Sequence, residues 1–505
     1  MKLPQFRNPN ALMIQGTTSD AGKSILTTAF CRMLARKSIA VAPFKPQNMA
    51  LNSSVTADGG EIGRAQAVQA EACYLEPNVL MNPILLKPNS DMGSQVIVKG
   101  KALGNMKAHA YHKFKPKLLH DVIDSFNQLV QQFEAVLIEG AGSPAEINLR
   151  ENDIANMGFA EVVDCPVIIV ADIDRGGVFA HLYGTYALLS EQEKQRVVGF
   201  VINRFRGDLG LLESGSSWLE DKTSVPVIAV IPYIENLHIE AEDSISRSQR
   251  NQKIENEITV AVINYPRISN HTDFDVLRLH PQVNCELLKE SEEFNGADLI
   301  ILPGSKNVQD DLRWLKEKGW ERVISKHLCY GGKLLGICGG FQMLGQEILD
   351  PDAIESMKGS SSGLGYLDMR TRLTASKTLR NVTGHHVNNS GCSVKGYEIH
   401  AGVSTGEALE RPLFNLTDED GHQFFDGAQD DHGSVIGSYV HGLLDQPQFL
   451  THVLNWAGAV STESFNYPEF RQQQIDRLAD AVEQAFPLNQ LKLLVGLKKP
   501  LDRPS

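Results

Sequence analysis

Short runs of apolar residues recur along the chain, with helix-like stretches between them. In the first half, these runs are rich in Val and Ile and show little alternation between apolar and polar positions. Strands buried on both faces have this pattern, and runs of four to six residues are too short for buried helices. The pattern therefore predicts an α/β domain built on a parallel sheet. The runs lie at residues 11–15, 135–138, 166–171, 197–202 and 226–231.

The strand pattern restarts after a polar and charged stretch at residues 235–257. This stretch predicts a linker between two domains. The later runs have the same buried-strand character, so we expect a second α/β domain after the linker. They lie at residues 258–263, 297–302, 333–337 and 435–440.

The end of the chain has a different pattern. Ile475, Leu478, Val482 and Phe486 recur at helical spacing. This spacing predicts one amphipathic helix that packs against the body of the protein. The predicted units are a first domain at residues 1–235, a linker at 236–257, a second domain at 258–450 and a tail at 451–505.

Composition and charge narrow the class of protein. A chain of 505 residues exceeds one ordinary core, and its net charge of −13 argues against a general nucleic-acid binder. The seven cysteines form no C-x-x-C pair, which suits reduced thiols in a cytoplasmic protein. No apolar run is long enough for a signal peptide or a membrane span. The composition leaves the oligomeric state open.

The first predicted strand leads into the sequence GTTSDAGKS, and a helical pattern follows. A strand, a glycine-rich loop and a helix form a phosphate-binding loop, in which backbone amides surround the phosphates and the lysine reaches the terminal oxygens. We expect ATP here, with Ser24 as a Mg²⁺ ligand. The usual pattern has its first glycine at the position of Thr17, and here the glycine comes one residue earlier. The candidate ATP-binding residues are Gly16, Thr17, Asp20, Gly22, Lys23 and Ser24.

An acidic partner for the metal follows a second buried run. Glu139 stands at the end of the strand predicted at residues 135–138. Because α/β sheets bind ligands at the carboxyl ends of their strands, we expect Glu139 to be a Mg²⁺ ligand beside Ser24. Asp20 is either a group that acts on the γ-phosphate or the metal, or a turn-forming aspartate, and the residues do not decide between the two.

A glycine-rich elbow marks the second domain. The strand at residues 333–337 runs into Cys338 within the pattern G-x-C-x-G, where glycines leave room for a tight strand-to-helix turn. A cysteine at a helix N-terminus gains thiolate character. Cys338 is therefore the predicted nucleophile. The amide that follows it and the glycine turn at residues 302–307 are the predicted oxyanion donors.

A cysteine nucleophile also needs a base. His441 directly follows the strand predicted at residues 435–440 and is the first candidate, with His400 as its competitor. The remaining histidines are interpreted as surface or core residues.

Together these motifs resemble the cobyric acid synthases, a family of glutamine-dependent amidases of the cobalamin pathway. The resemblance extends to about residue 450 and is most specific in PQNMALNSSVTADGGEIGRAQ, EGAGSPAEINL, ADIDRGGVFA and NRFRGD. The first domain is similar to P-loop enzymes of the dethiobiotin synthetase type, which share the shifted glycine. The second is similar to class I glutamine amidotransferases of the cobyrinate subgroup, whose nucleophile and base match Cys338 and His441.

The resemblance implies an activity. Cys338 would release ammonia from glutamine, and ATP with Mg²⁺ would phosphorylate a corrinoid carboxylate that ammonia then converts to an amide. The implied acceptor is adenosylcobyrinic acid a,c-diamide, amidated at its b, d, e and g carboxylates. The implied partners are therefore a corrinoid, glutamine and ATP, with no nucleic acid and no membrane.

One position departs from the ordinary class I pattern. Those enzymes carry a glutamate two residues after the histidine, where this chain has Leu443, and the cobyrinate subgroup is similar in lacking it. Glu398 and Asp445 are the candidates for the group that orients the imidazole.

Two other functions stay open. One is a cobyrinic acid a,c-diamide synthase, which PQNMALNS and EGAGSPAEINL disfavour. The other is a MinD/ParA-like ATPase switch with an inactive amidotransferase domain. The lack of a second lysine in the phosphate loop, and a cysteine elbow that such a switch does not need, argue against it.

Overall fold

In a computed structural model, the protein forms two α/β units and a C-terminal pair of helices. The structure describes residues 5–8, 10–90, 93–240, 258–355, 359–460 and 462–497. Residues 241–257, most of the predicted linker, therefore lie outside the described residues. At the near end of the linker, Glu240 is buried.

The first unit is built on a six-stranded, fully parallel sheet. Every apolar run predicted in the first half forms one of its strands, so this part of the fold prediction is confirmed. The central strands are buried on both faces because helices pack on both sides. In spatial order the strands are Val227–Pro232, Val197–Phe205, Val167–Asp172, Ala11–Gly16, Ala135–Glu139 and Val41–Phe44. The helices are Lys23–Ala35, Arg64–Ala72, Ala108–Gln132, Met157–Val163, Val178–Ala187, Glu191–Lys194 and Glu213–Thr223.

A smaller four-stranded sheet is inserted in this unit after the second strand of the chain. Its strands are Gln47–Met49, Ile84–Ser90, Gly93–Val98 and Lys101–Lys107. A short antiparallel pair, Ser53–Val55 with Glu61–Gly63, lies beside it. The insertion reaches the second unit, because Lys306 Nζ donates to Gln95 Oε1 at 2.9 Å.

The second unit also contains a six-stranded sheet, parallel except at one edge. The strand predicted at residues 435–440 is split at Tyr439, since the Ser438 hydroxyl and the Tyr439 amide both bind Asp426 and turn the chain out of the sheet. In spatial order the strands are Val283–Leu288, Ile258–Ile263, Leu299–Leu302, Lys333–Ile337, Val435–Ser438 and Ala428–Gln429. The helices are Asp275–Leu279, Val308–Glu317, Trp320–Cys329, Gly339–Leu344 and Pro447–Trp456.

A second, mixed sheet of this unit was not predicted from the apolar runs. Its centre is a long hairpin, Arg370–His386 with Asn389–Thr405, in which exposed and buried positions are mixed. The other strands are Glu347–Leu349, Ser360–Ser362, Phe414–Asp418, Gln423–Asp426 and Val440–His441. A two-stranded pair joins Ile268–Ser269 to Gly304–Ser305. Single turns of 3-10 helix lie at Val79–Met81, Ile147–Leu149, Leu209–Leu212, His271–Phe274, Ser291–Glu293, Glu407–Glu410 and Leu443–Asp445.

The C-terminal helices Tyr467–Ala485 and Leu488–Leu494 pack on the first unit. All four residues of the predicted apolar stripe are at most 1% exposed. The Phe30 and Phe486 rings lie 4.9 Å apart between centroids. The expected packing of this helix is therefore confirmed. Across the described ranges, no helix has the combination of length and apolar character that crossing a membrane requires.

Candidate active sites

The predicted phosphate-binding loop connects the strand Ala11–Gly16 to the helix Lys23–Ala35. Gly22 has φ 103°, and a Cβ there would lie 2.0 Å from the side-chain nitrogen of Asn203. The shifted glycine also has a steric role, because a Cβ on Gly16 would lie 2.9 Å from the Thr18 carbonyl and 3.0 Å from Lys23. Both glycines let the loop fold tightly around the lysine.

Lys23 lies at the centre of this loop. Its Nζ donates to the carbonyl oxygens of Thr18 at 2.9 Å, Ser19 at 3.1 Å and Gly142 at 2.9 Å. Lys23 lines a cavity of about 800 Å³, together with Ser19, Asp20 and Ser24. Phosphate oxygens entering the cavity would replace these neutral acceptors with charged ones, which form stronger hydrogen bonds.

Glu139 is fully buried at the end of its strand, beside the loop. Its Oε1 accepts from Ser24 Oγ at 2.7 Å and Lys45 Nζ at 3.0 Å, and its Oε2 accepts from Gln69 Nε2 at 2.6 Å. Burial by itself would raise the pKa of this carboxyl, but the Lys45 charge and the hydrogen bonds lower it, so Glu139 is ionised. An ionised carboxylate beside a hydroxyl at a phosphate loop is a donor set that fits Mg²⁺.

The other two loop candidates have different surroundings. The Thr17 hydroxyl is buried and has no hydrogen-bond partner among the residues described. The Asp20 carboxylate is exposed, and its Oδ2 accepts from Arg175 Nη2 at 3.2 Å. Asp20 lies in a turn of the loop and also lines the cavity.

The same cavity is also lined by apolar groups and by several cations. Met49 and Leu149 line it and are 54% and 50% exposed. Apolar contacts combined with several cations suit a ligand that has both a large apolar surface and carboxylates. Besides Lys23, the cations that line this cavity are Lys45, Lys115, Arg150, Arg175 and Arg204.

The backbone is strained at the cysteine elbow of the second unit. Cys338 has φ 53° and ψ −108°, a conformation that L-residues rarely adopt, and the helix Gly339–Leu344 begins directly after it. A Cβ on Gly340 would lie 2.0 Å from the Leu302 carbonyl oxygen. The glycine therefore lets the elbow lie directly against the neighbouring strand, with the thiol presented at the sheet edge.

Cys338 lines a second cavity, of about 240 Å³. Both units contribute to its wall, with Lys87 and Gln95 from the first and Lys306 and Lys377 from the second. The volume is suited to a small polar molecule such as an amino acid.

His441 lies beside the cysteine and is 1% exposed. Its ring contacts Cys338 through a hydrogen bond, and its Nδ1 lies 2.6 Å from Asp273 Oδ2. Burial by itself would lower the pKa of the imidazole, but the charges of Asp273 and Cys338 raise it to about 10. This shift favours the form in which His441 holds the proton beside the sulfur.

Asp273 completes this group and was not among the sequence candidates. Its Oδ1 also accepts from the Gly442 amide at 2.9 Å, so the carboxylate holds both the ring and the backbone that follows it. The sequence left this role unassigned between the candidates Glu398 and Asp445, and in the structure Asp273 contacts the imidazole instead. Glu398 instead accepts from Arg380 Nε at 2.6 Å, and Asp445 lies 3.9 Å from Arg471.

No motif in the sequence marks Asp273. It lies in the 3-10 turn His271–Phe274, which follows the short strand Ile268–Ser269. A carboxylate after a strand end is the one feature that could have indicated it. His400, the competing base, stacks on Tyr439 with ring centroids 3.8 Å apart and lies 3.7 Å from Glu398.

The glycine turn predicted to supply an oxyanion donor lies against the same site. A Cβ on Gly304 would lie 3.0 Å from His441 Cε1, so the glycine lets the imidazole approach the turn. The Ser305 amide nitrogen would lie 2.8 Å from a Cβ on Gly339, which places that amide next to the elbow. The backbone amides of Ser305 and Gly339 are therefore placed to donate to the carbonyl oxygen of a substrate bound at Cys338.

These two sites define a class of protein. A phosphate loop with a buried carboxylate lies in one unit, and a cysteine, a histidine and an aspartate in contact lie in the other. This combination is that of an ATP-using glutamine amidotransferase. Residues 12–246 match the model of the CobQ/CobB/MinD/ParA nucleotide binding domain, and residues 259–449 match that of the CobB/CobQ-like glutamine amidotransferase domain.

Curated relatives narrow the class to one family. Proteins named cobyric acid synthase from Vibrio vulnificus strains CMCP6 and YJ016 are each 56% identical to this chain over 481 residues. The alignments cover 95% of this chain and 98% and 99% of those proteins. This chain therefore belongs to the cobyric acid synthase family, and the resemblance stated from its motifs is confirmed.

Solved structures are more distant. A crystal structure described as a glutamine amidotransferase aligns with 39% of this chain and 98% of its own length, at 21% identity and a TM-score of 0.30. At that similarity it adds nothing to the argument from the relatives.

Proposed function

We propose that this protein is a cytoplasmic cobyric acid synthase that amidates the b, d, e and g carboxylates of adenosylcobyrinic acid a,c-diamide with ATP and glutamine. The observation that carries the proposal is that one chain joins a phosphate-loop cavity to a Cys338–His441–Asp273 site. The relatives that share both units from end to end bear this name. None of the seven cysteines forms a disulfide, which supports the cytoplasmic setting.

Glutamine hydrolysis would take place in the smaller cavity. Cys338 Sγ attacks the side-chain carbonyl carbon of glutamine, and the Ser305 and Gly339 amides stabilise the oxyanion. His441 gives its proton to the leaving ammonia and then takes one from the water that hydrolyses the glutamyl thioester. Asp273 keeps the imidazole oriented and charged through these steps.

Activation of the acceptor would take place in the larger cavity. The acceptor carboxylate attacks the γ-phosphorus of ATP, and Lys23 stabilises the charge on the transferring phosphoryl group. A Mg²⁺ ion held by Ser24 and Glu139 would neutralise phosphate charge there. Ammonia from the other site then attacks the acyl phosphate, an amide forms, and phosphate leaves.

The cationic and apolar wall of the larger cavity supports a corrinoid acceptor. A corrin ring presents a wide apolar face, and its side-chain carboxylates match Lys115, Arg150 and Arg204. The alternative of a MinD/ParA-like ATPase switch with an inactive amidotransferase domain is disfavoured, because such a switch has no use for a strained cysteine beside a histidine.

The proposal is tested by incubating the protein with glutamine, MgATP and cobyrinic acid a,c-diamide and analysing the corrinoid by mass spectrometry. Successive conversion of carboxylates to amides supports it. A substrate that stays unchanged refutes it. In a parallel incubation with cobyrinic acid, amidation confined to the a and c carboxylates would identify the sister synthase. Cys338→Ala is expected to abolish amidation with glutamine but not with added ammonia.

A further inference from the structure

The turn that carries Asp273 is held by the first unit. Asn52 Oδ1 accepts from the His271 amide at 3.1 Å, and Asn52 Nδ2 lies 2.7 Å from His271 Nε2. The neighbouring Ser53 amide donates to Asn270 Oδ1 at 3.0 Å. Asn52, Asn270 and His271 are 0%, 2% and 8% exposed. Three buried hydrogen bonds therefore join one short segment of the first unit to the turn.

The chemistry of these contacts is specific to an amide side chain. Burial, with the nearby Arg278 charge, lowers the pKa of His271 to about 4, so its ring is neutral and Nε2 can accept from Asn52 Nδ2. Asn52 thus donates to the ring and accepts from the backbone of the same residue. A carboxylate has no donor for the neutral ring, and alanine offers neither group.

The same segment also borders the nucleotide site. Gln47, Asn48 and Met49 line the larger cavity. Asn48 Nδ2 donates to Gln66 Oε1 at 2.9 Å, and Gln66 Nε2 lies 3.4 Å from Glu139 Oε2. Residues only a few positions apart therefore contact the wall of the ATP cavity and the turn of the glutamine site.

We propose that Asn52 is a positioning residue for glutamine hydrolysis. It fixes the turn that presents Asp273 to His441, so the Cys338 site is fully assembled only with this segment of the first unit in place. Asn52 itself does not line the Cys338 cavity, whereas Asn270 of the same turn does. The loss of Asn52 is therefore expected to lower the rate of hydrolysis more than it weakens glutamine binding. The inference deepens the proposed function and rests on it.

The test compares Asn52→Ala in the full-length protein with Asn295→Ala, a change at an exposed loop asparagine of the second unit. For Asn52→Ala, which removes both hydrogen bonds between the Asn52 side chain and His271, kcat for glutamate release from glutamine is expected to fall at least about tenfold, while KM for glutamine stays within about twofold. Asn295→Ala is expected to match the unchanged protein. His271→Gln keeps an acceptor oxygen for the Asn52 amide and is expected to retain more activity than His271→Leu.

Amidation with added ammonia is measured on the same samples and reports on the larger cavity. An Asn52→Ala kcat equal to that of Asn295→Ala overturns the inference, as does a raised KM with an unchanged kcat. Loss of ammonia-dependent amidation together with glutamine hydrolysis also overturns it, because Asn52 would then support the whole first unit. Failure of the proposed function is seen separately, as a protein that hydrolyses glutamine but never amidates the corrinoid.

Discussion

Replacing Asp273 with Asn removes one charge from the glutamine site while keeping the shape of the side chain. In the structure the carboxylate lies 2.6 Å from His441 Nδ1 and 2.9 Å from the Gly442 amide. The amide oxygen of Asn can still accept one of these hydrogen bonds. What is lost is the negative charge that stabilises the imidazolium.

The expected size of the effect follows from the kind of contact. A hydrogen bond that involves a charged group contributes about 1.5–3 kcal/mol. If that stabilisation is lost in the transition state, kcat/KM for glutamine falls about 10- to 150-fold. The same energy corresponds to a decrease of about 1–2 units in the pKa of His441.

The direction of the pH effect can be worked out from the charges. Asp273 and Cys338 raise the pKa of His441 to about 10, so the imidazolium persists well into the alkaline range. Without the Asp273 charge the imidazole loses its proton at lower pH, and the alkaline limb of kcat/KM moves to lower pH. The assay is glutamate release measured across the pH range.

Asp420→Asn, at an exposed turn, is the matched control and is expected to leave the profile unchanged. Ammonia-dependent amidation by Asp273→Asn shows that the variant is folded. A variant with the original pH profile and kcat/KM would refute the role given to Asp273, and would return Glu398 and Asp445 to consideration.

Three further predictions concern other parts of the chain. Lys23→Met is expected to lower ammonia-dependent amidation at least about 100-fold, because it removes the loop cation, while glutamine hydrolysis stays measurable; equal loss of both would contradict separate sites. Glu139→Gln is expected to raise the Mg²⁺ concentration for half-maximal amidation at least about tenfold, and an unchanged Mg²⁺ titration would exclude it as a ligand. Gly340→Ala is expected to lower the free energy of unfolding by about 1–3 kcal/mol in urea, since its Cβ would lie 2.0 Å from the Leu302 carbonyl oxygen. Gly184→Ala, a helical position with open space around it, is the control and should not destabilise the protein.

The parts of the fold that could be predicted from the sequence are those in which a short segment has a recognisable pattern of residues. Buried parallel strands are short Val- and Ile-rich runs, and ligand-binding groups follow their carboxyl ends. This is why Ser24, Glu139, Cys338 and His441 could be singled out before the structure. The long hairpin was not predicted, because its strands mix exposed and buried positions and have no continuous apolar run.

Contacts between distant segments could not be foreseen. Asp273 and His441 are 168 positions apart, and Asn52 and His271 are 219 apart. Both aspartate and asparagine are common in turns, so neither residue has a local signal of function. Only the packing of the two units shows that these turns meet beside Cys338.

The proposed function requires that nitrogen released at Cys338 reaches a carboxylate activated at the phosphate loop. The most direct test supplies glutamine labelled with ¹⁵N at its side-chain amide, together with MgATP and cobyrinic acid a,c-diamide. The newly formed corrinoid amides are expected to contain ¹⁵N, and glutamate is expected to be released at the same time. Release of glutamate with no labelled amide in the corrinoid would contradict the proposed function.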